Sequence, residues 1–357
     1  MSATRRLPQI TALLGGVALS LAAMAKPTLR FNAGSVLGVN VPGGTWRLLA
    51  LVLALVNLKN WPFVWHYRLF KSLIYHLFIQ PTTLTPSSLF SPLITTSHTP
   101  IAETDYNFHK SNSTYFTDLD ISRTHLVTAL LKQGIRGEKR REAMTEEEWF
   151  AAATEPGNLL IALGAVSCHF HREIAPYRRY EIWTRLLTWD RKWLYIVSHF
   201  VEAGAFVPEG YALQPWKKVR GKWEDLSESD RKALERKVFA SSIAKYVVKK
   251  GRLTVPPEMA LERAMMLPPR PTGTKVDGES AENADGDGES PSKMVLEESL
   301  FAEDVKGDYW TWERVQEERK NGLKLAEAYD SLEGLKGVFA GGEGVAMGQY
   351  DDLIFGW

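Results

Sequence analysis

Cysteine is nearly absent from this chain of 357 residues, which has only Cys168. That excludes an intramolecular disulfide and a thiolate cluster around a metal. The apolar surroundings of Cys168 fit a buried structural thiol better than a nucleophile. The G-x-S-x-G elbow is missing, so ester chemistry by an α/β-hydrolase route has no support. No H-E-x-x-H occurs; His125, His169, His171 and His199 are scattered and read as structural, and no metal is expected. Gly341-Gly342-Glu343-Gly344 does not follow a strand of a βαβ unit, so it is no dinucleotide fingerprint, and no cofactor is expected. A net charge of +1 gives no argument for nucleic acid. No internal repeat is evident.

Apolar residues make up 45% of the chain and crowd its first eighty positions. Arg5 and Arg6 precede an apolar run at 7–25, close to the roughly 20 residues that cross a bilayer. Its Ala23-Met24-Ala25 ending also suits signal-peptide cleavage. A second run, 46–58, is short for a span and fits a half-buried or hairpin arrangement. Trp61, Trp65, Tyr67 and Tyr75 suit the headgroup level, the alternative being that they pack on the soluble domain. Residues 1–80 are therefore expected to be membrane-associated helices. Basic residues outside the two runs (Arg5, Arg6, Lys59, Arg68, Lys71) place both flanks on the cytosolic side. An unpaired Cys168 suits that reducing compartment.

The rest divides into a connector at 81–100, a domain at 101–267 with an insertion at 203–237, a disordered linker at 268–293, and a C-terminal helix and tail at 294–357. A strand at 101–104 is expected to enter a long helix on which Tyr115, Leu119, Leu126 and Leu130 share a face, with a stop at Gly134. Thr145 and Glu148 fit a capping box opening a short helix toward Ala153. Strands are expected at 159–174, 179–189, 194–202 and 238–248, with Tyr180, Ile182, Thr184 and Leu186 on one face and a hairpin at 189–193. One helix with several antiparallel strands gives an α+β layered fold. The basic-aromatic stretch 216–223 reads first as a solvated loop, with Lys and Arg stems over Trp rings; coenzyme A phosphates or an anionic surface are the other reading. A helix at 309–329, with Trp310, Trp312 and Val315, should dock on the main domain.

Asp105, Asn107, His109 and Asn112 crowd together just ahead of the long helix, where backbone N–H groups lack partners. With Tyr115 they form D-x-N-x-H-x-x-N-x-x-Y. This spacing resembles hot-dog-fold thioesterases, especially a membrane-anchored acyl-CoA thioesterase-like branch, and plant acyl-ACP thioesterases carry a similar D-x-N-x-H. The resemblance covers 90–261. It implies a long helix wrapped by an antiparallel sheet, a homodimer with the site at its interface, and an acyl-CoA substrate. It points to the endoplasmic reticulum, with mitochondria next. Asp105 would activate water or attack directly, Asn107 and His109 would orient water or substrate, and N–H groups near Asn112 and Ser113 would receive the oxyanion. Tyr115 completes the substrate-binding set. Asp105 or Asn107 could instead make an Asx-turn or a helix cap. Lys110, Ser111 and Thr114 stand where an apolar residue, Asn and Arg are usual. They keep open a non-catalytic domain that binds acyl chains or scaffolds partners at a membrane.

Overall fold

The computed structural model describes residues 43–136, 159–217, 228–269, 271 and 310–338. Helix α1 (Gly44–Val56), a 3-10 turn (Leu58–Asn60), α2 (Val64–Ile74) and a π turn (Tyr75–Ile79) lead into β1 (Leu93–His98). A second 3-10 turn (Ile101–Glu103) precedes the long helix α3 (Asn112–Arg136). Then come β2 (Leu159–Phe170), β3 (Arg179–Trp189), β4 (Trp193–Glu202), α4 (Glu228–Glu235), β5 (Val238–Lys250), β6 (Leu253–Val255), α5 (Pro257–Arg263) and α6 (Trp312–Asp330). The strands pair antiparallel in the order β1-β3-β4-β5-β2, with β6 added to β5.

Period-2 alternation decides which face is buried. Tyr180, Ile182, Thr184 and Leu186 of β3 are all buried on the face under α3, as are Leu194, Ile196 and Phe200 of β4. Helix α3 answers with Tyr115, Leu119, Leu126 and Leu130, spaced four, seven and four apart so that one stripe meets the sheet. Each fully buried leucine contributes about 1.5–3 kcal/mol. The hydroxyls on this face pair with one another: Ser122 lies 2.8 Å from Thr184, and Thr184 lies 2.9 Å from Ser198.

Helix α6 covers the opposite face, where Leu187, Tyr195 and Ala326 pack together. A bulge between Leu186 and Thr188 sets Leu187 and Thr188 toward α6 and returns Trp189 to the inner core. Gly322 is required at the crossing. A Cβ there would meet the Leu187 carbonyl oxygen at 2.5 Å and the Thr188 Cβ at 2.8 Å. The Thr188 hydroxyl donates to the Arg319 carbonyl at 2.7 Å.

Several boundaries differ from expectation. Residues 101–104 form no strand; the one that enters the site is β1, inside the stretch read as a connector, where flanking Pro92 and Pro100 hid a short Ile/Thr-rich run. Helix α3 runs past Gly134 to Arg136, since mid-helix glycine costs only about 1 kcal/mol and α5 packs alongside. Strand β2 ends at Phe170 rather than at 174. The second apolar run is α1, 13 residues long. At 1.5 Å per residue such a helix covers about 20 Å of a roughly 30 Å hydrocarbon core. Among the described residues no helix is long and apolar enough to cross a membrane. Nor is the N-terminal segment wholly separate from the domain, because α2 packs on α3 and buries Ser72, His76 and Gln80. The apolar run at 7–25, the helix expected from 145 and residues 272–309 lie outside the described residues.

Candidate active site

Backbone and side-chain bonds build the turn that joins β1 to α3. Asp105 N–H donates to the His109 carbonyl (3.0 Å) and Phe108 N–H to the Asp105 carbonyl (3.1 Å). Asp105 Oδ1 accepts from Asn107 N–H at 2.9 Å, an Asx-turn. Phe108 takes a left-handed φ of 58°, which closes the loop at some steric cost. Its base is an antiparallel bridge between Thr104 and Lys110.

Of the six candidate site residues, Asp105 and His109 come together. His109 Nδ1 lies 3.5 Å from Asp105 Oδ2, and its Nε2 lies 3.8 Å from Glu173. Both side chains are partly open, 24% exposed for Asp105 and 21% for His109. Asn107 is exposed, as are its neighbours Tyr106 and Phe108. Asn112 and Ser113 are exposed on the first turn of α3, where backbone N–H groups have no intrahelical acceptor. Tyr115 sits deeper, its ring edge-on to Phe170 and Phe200 at 4.9 and 4.8 Å between centroids. Burial pushes its hydroxyl pKa up.

Beneath the turn lies a group of charges that the spacing argument missed. The Lys110 ammonium is 2.6 Å from Glu103 and 3.1 Å from Asp118, and all three side chains are at most 2% exposed. Lys59, from the 3-10 turn after α1, reaches the same two carboxylates at 2.9 and 2.8 Å. It also donates to the His98 carbonyl at 3.0 Å. Arg68 of α2 reaches the other Asp118 oxygen at 2.9 Å, and the Tyr180 hydroxyl donates to Asp118 at 2.5 Å. Burial alone would raise the Asp118 pKa, but the Lys59, Lys110 and Arg68 cations outweigh it and hold the carboxyl well below the usual range. Burial draws the Lys59 ammonium below its ordinary value against the pull of Asp118. Burial and then Asp118 push Tyr180 well up. Asp118, so neutralised, is no candidate base. One signal was legible: Asp118 lies three residues after Tyr115 and beside Leu119, on the buried stripe of α3, where an uncompensated carboxylate cannot stay.

Elsewhere, His76 Nε2 and His125 Nδ1 are 2.9 Å apart, and burial lowers both rings to about 4. Cys168 is partly buried, and burial pushes its thiol up to about 11. No group of three metal-ligating side chains occurs among the described residues.

Residues 99–212 match the family model described as the thioesterase-like superfamily. Over 309 residues the chain is 37% identical to the "Probable thioesterase atnL" of Emericella nidulans, spanning 84% of this chain and 90% of that protein. The chain belongs to the thioesterase-like superfamily. It is similarly 35% identical over 300 residues to "Thioesterase poxG" of Penicillium oxalicum, spanning 82% of this chain and 86% of that one. The crystal structure of the probable thioesterase YbaW of Escherichia coli aligns over 49% of this chain and 96% of its own, at 14% identity and a TM-score of 0.29. The long helix α3 laid on an antiparallel sheet is this superfamily's hot-dog fold.

Proposed function

We propose that this thioesterase-like protein hydrolyses a fatty acyl-CoA thioester, with Asp105 as general base or nucleophile. The observation that carries the reading is the half-open Asp105–His109 pair, 3.5 Å apart, immediately ahead of the α3 N-terminus. As base, Asp105 takes a proton from water as the oxygen attacks the thioester carbonyl. The Asn112 and Ser113 N–H groups receive the developing oxyanion. Collapse of the tetrahedral intermediate breaks the C–S bond, and the CoA thiolate leaves. The Asn107 N–H holds one Asp105 oxygen, which leaves the other toward His109 to orient the water. Tyr115 closes the floor.

Two features support a membrane surface and a second copy as partners. Trp46, Leu49, Leu53 and Phe63 are 55–78% exposed on and just after α1, and no Asp or Glu occurs before Glu103. An apolar, acid-free, basic-flanked segment suits an anionic lipid surface. Among the described residues strand β2 is an edge of the sheet, with Leu160 and Leu163 exposed, a template for antiparallel pairing with a second protomer.

The deciding measurement is release of free CoA across a panel of acyl-chain lengths by the full chain. Asp105→Ala should lower turnover by about 10²–10⁴-fold with an unchanged unfolding midpoint. Unchanged turnover removes Asp105 from the mechanism. Acyl-CoA binding by the parent chain without any hydrolysis would select the non-catalytic acyl-binding domain instead.

A further inference from the structure

We propose that Lys59 is a positioning residue for the Asp105–His109 turn, which makes the N-terminal helical segment part of the active centre. The proposal rests on reading that turn as the site. Glu103 and Lys110 bracket the turn, and each is tied twice. The Glu103 carbonyl accepts from Ser111 N–H at 2.7 Å, and Lys110 N–H donates to the Ile174 carbonyl at 2.8 Å. Their side chains then meet over Asp118, so the base of the turn is held from below by charge.

This hold depends on a second cation. Glu103 and Asp118 lie side by side, each within 3.1 Å of Lys110 and within 2.9 Å of Lys59. The four charges alternate in sign around a closed ring, so every charge has opposite charges as its near neighbours. Without Lys59, two buried carboxylates share one ammonium and repel in a medium of low dielectric. Arg68 cannot substitute, because it reaches only the far oxygen of Asp118. The repulsion relaxes by moving Glu103, whose backbone carries the first bond of the turn's base. The same segment holds its neighbours in two further ways: Asn57 Oδ1 accepts from Ala102 N–H at 2.8 Å, and Asn60 Nδ2 donates to the Glu103 carboxylate at 3.4 Å. Ala102 and Glu103 lie seven and six residues ahead of His109.

The test uses the full chain, with thioester turnover and hydrogen exchange of the peptide covering 104–111 as separate readouts. Lys59→Met is expected to lower kcat about tenfold or more with KM within about threefold, and to speed exchange in that peptide. Lys59→Arg keeps the charge but replaces one ammonium by a planar fork, and should fall between parent and Lys59→Met. Arg68→Gln removes a cation that does not touch Glu103, and should keep kcat within about twofold whatever it does to the unfolding midpoint. A folded Lys59→Met chain with parental kcat and exchange overturns the proposal, as does a kcat loss that tracks stability equally in the Lys59 and Arg68 variants. If Lys59→Met does not fold, Lys59→Arg decides: a kcat drop of about threefold at constant KM supports the role, and parental kcat overturns it. If the parent chain cleaves no thioester, the functional reading fails by itself. Exchange at 104–111 then still judges the positioning role.

Discussion

Two lysines of this chain each bridge two carboxylates from distant segments, in opposite surroundings. Lys59 sits with Lys110 among Glu103 and Asp118, all with side chains at most 7% exposed. Lys245 joins Asp330 at 2.6 Å and Glu333 at 2.8 Å, whose side chains are 33% and 63% exposed. The Tyr195 hydroxyl reinforces the outer cluster, 2.5 Å from Asp330 and 2.8 Å from Asp190. At the outer cluster water can take the place of a lost partner. At the inner one a lost partner leaves an uncompensated charge in low dielectric. The same chemistry is therefore a latch for α6 at the surface and a foundation for the turn inside.

The comparison breaks if the two clusters answer alike. Asp118→Ala should have the largest effect, about 3–5 kcal/mol of lost stability, since it leaves the buried Lys59 and Lys110 ammoniums sharing Glu103 alone; denaturant titration measures it. Gly322→Ala should cost about 1–3 kcal/mol by overpacking α6 against β3, and should speed exchange at the outer cluster while sparing 104–111. Titration sharpens the contrast through the uncharged His76–His125 pair. Its rings fall to about 4 in the folded chain against an ordinary 6.5. The unfolded chain thus takes up protons first as pH drops. Stability is full above about 6.5 and declines between 6.5 and 4, by on the order of 1–3 kcal/mol. Asp118, held well below the carboxylate range, contributes above its unfolded value and is lost only in much stronger acid. A thermal midpoint that stays flat from pH 7 to 4 would contradict this. Lys245→Met should be smallest, about 1 kcal/mol. Its effect should shrink in 1 M salt, where screening acts within roughly 3 Å, whereas that of Asp118→Ala should not.

Legibility followed the same division. Strand β3 was read at its observed bounds, because Tyr180, Ile182, Thr184 and Leu186 alternate onto one face up to the bulge after Leu186. The docking of α6 through Trp312 and Val315 was also legible. At the site, the local D-x-N-x-H spacing located Asp105 and His109, which the backbone brings into contact. It could not show Lys59, whose partners lie 44, 59 and 121 residues away. Lys110 looked like a misplaced charge in a family pattern, and its meaning appears only once Asp118 stands opposite. Pro92 and Pro100 made β1 look like a connector, since the pairing that stabilises it comes from β3.

Those separations also set an order of assembly. During synthesis Lys59 emerges first, and the Tyr180 hydroxyl beside it follows 121 residues later. Until Glu103, Asp118 and β3 exist, its ammonium has nothing to close upon, and bringing such remote ends together is slow relative to helix formation. The backbone bonds of helix α1 join near neighbours only, whereas its foot waits for a socket made of distant ones. The last stitch of the charged ring therefore closes the N-terminal segment onto a sheet that did not exist when that segment was born.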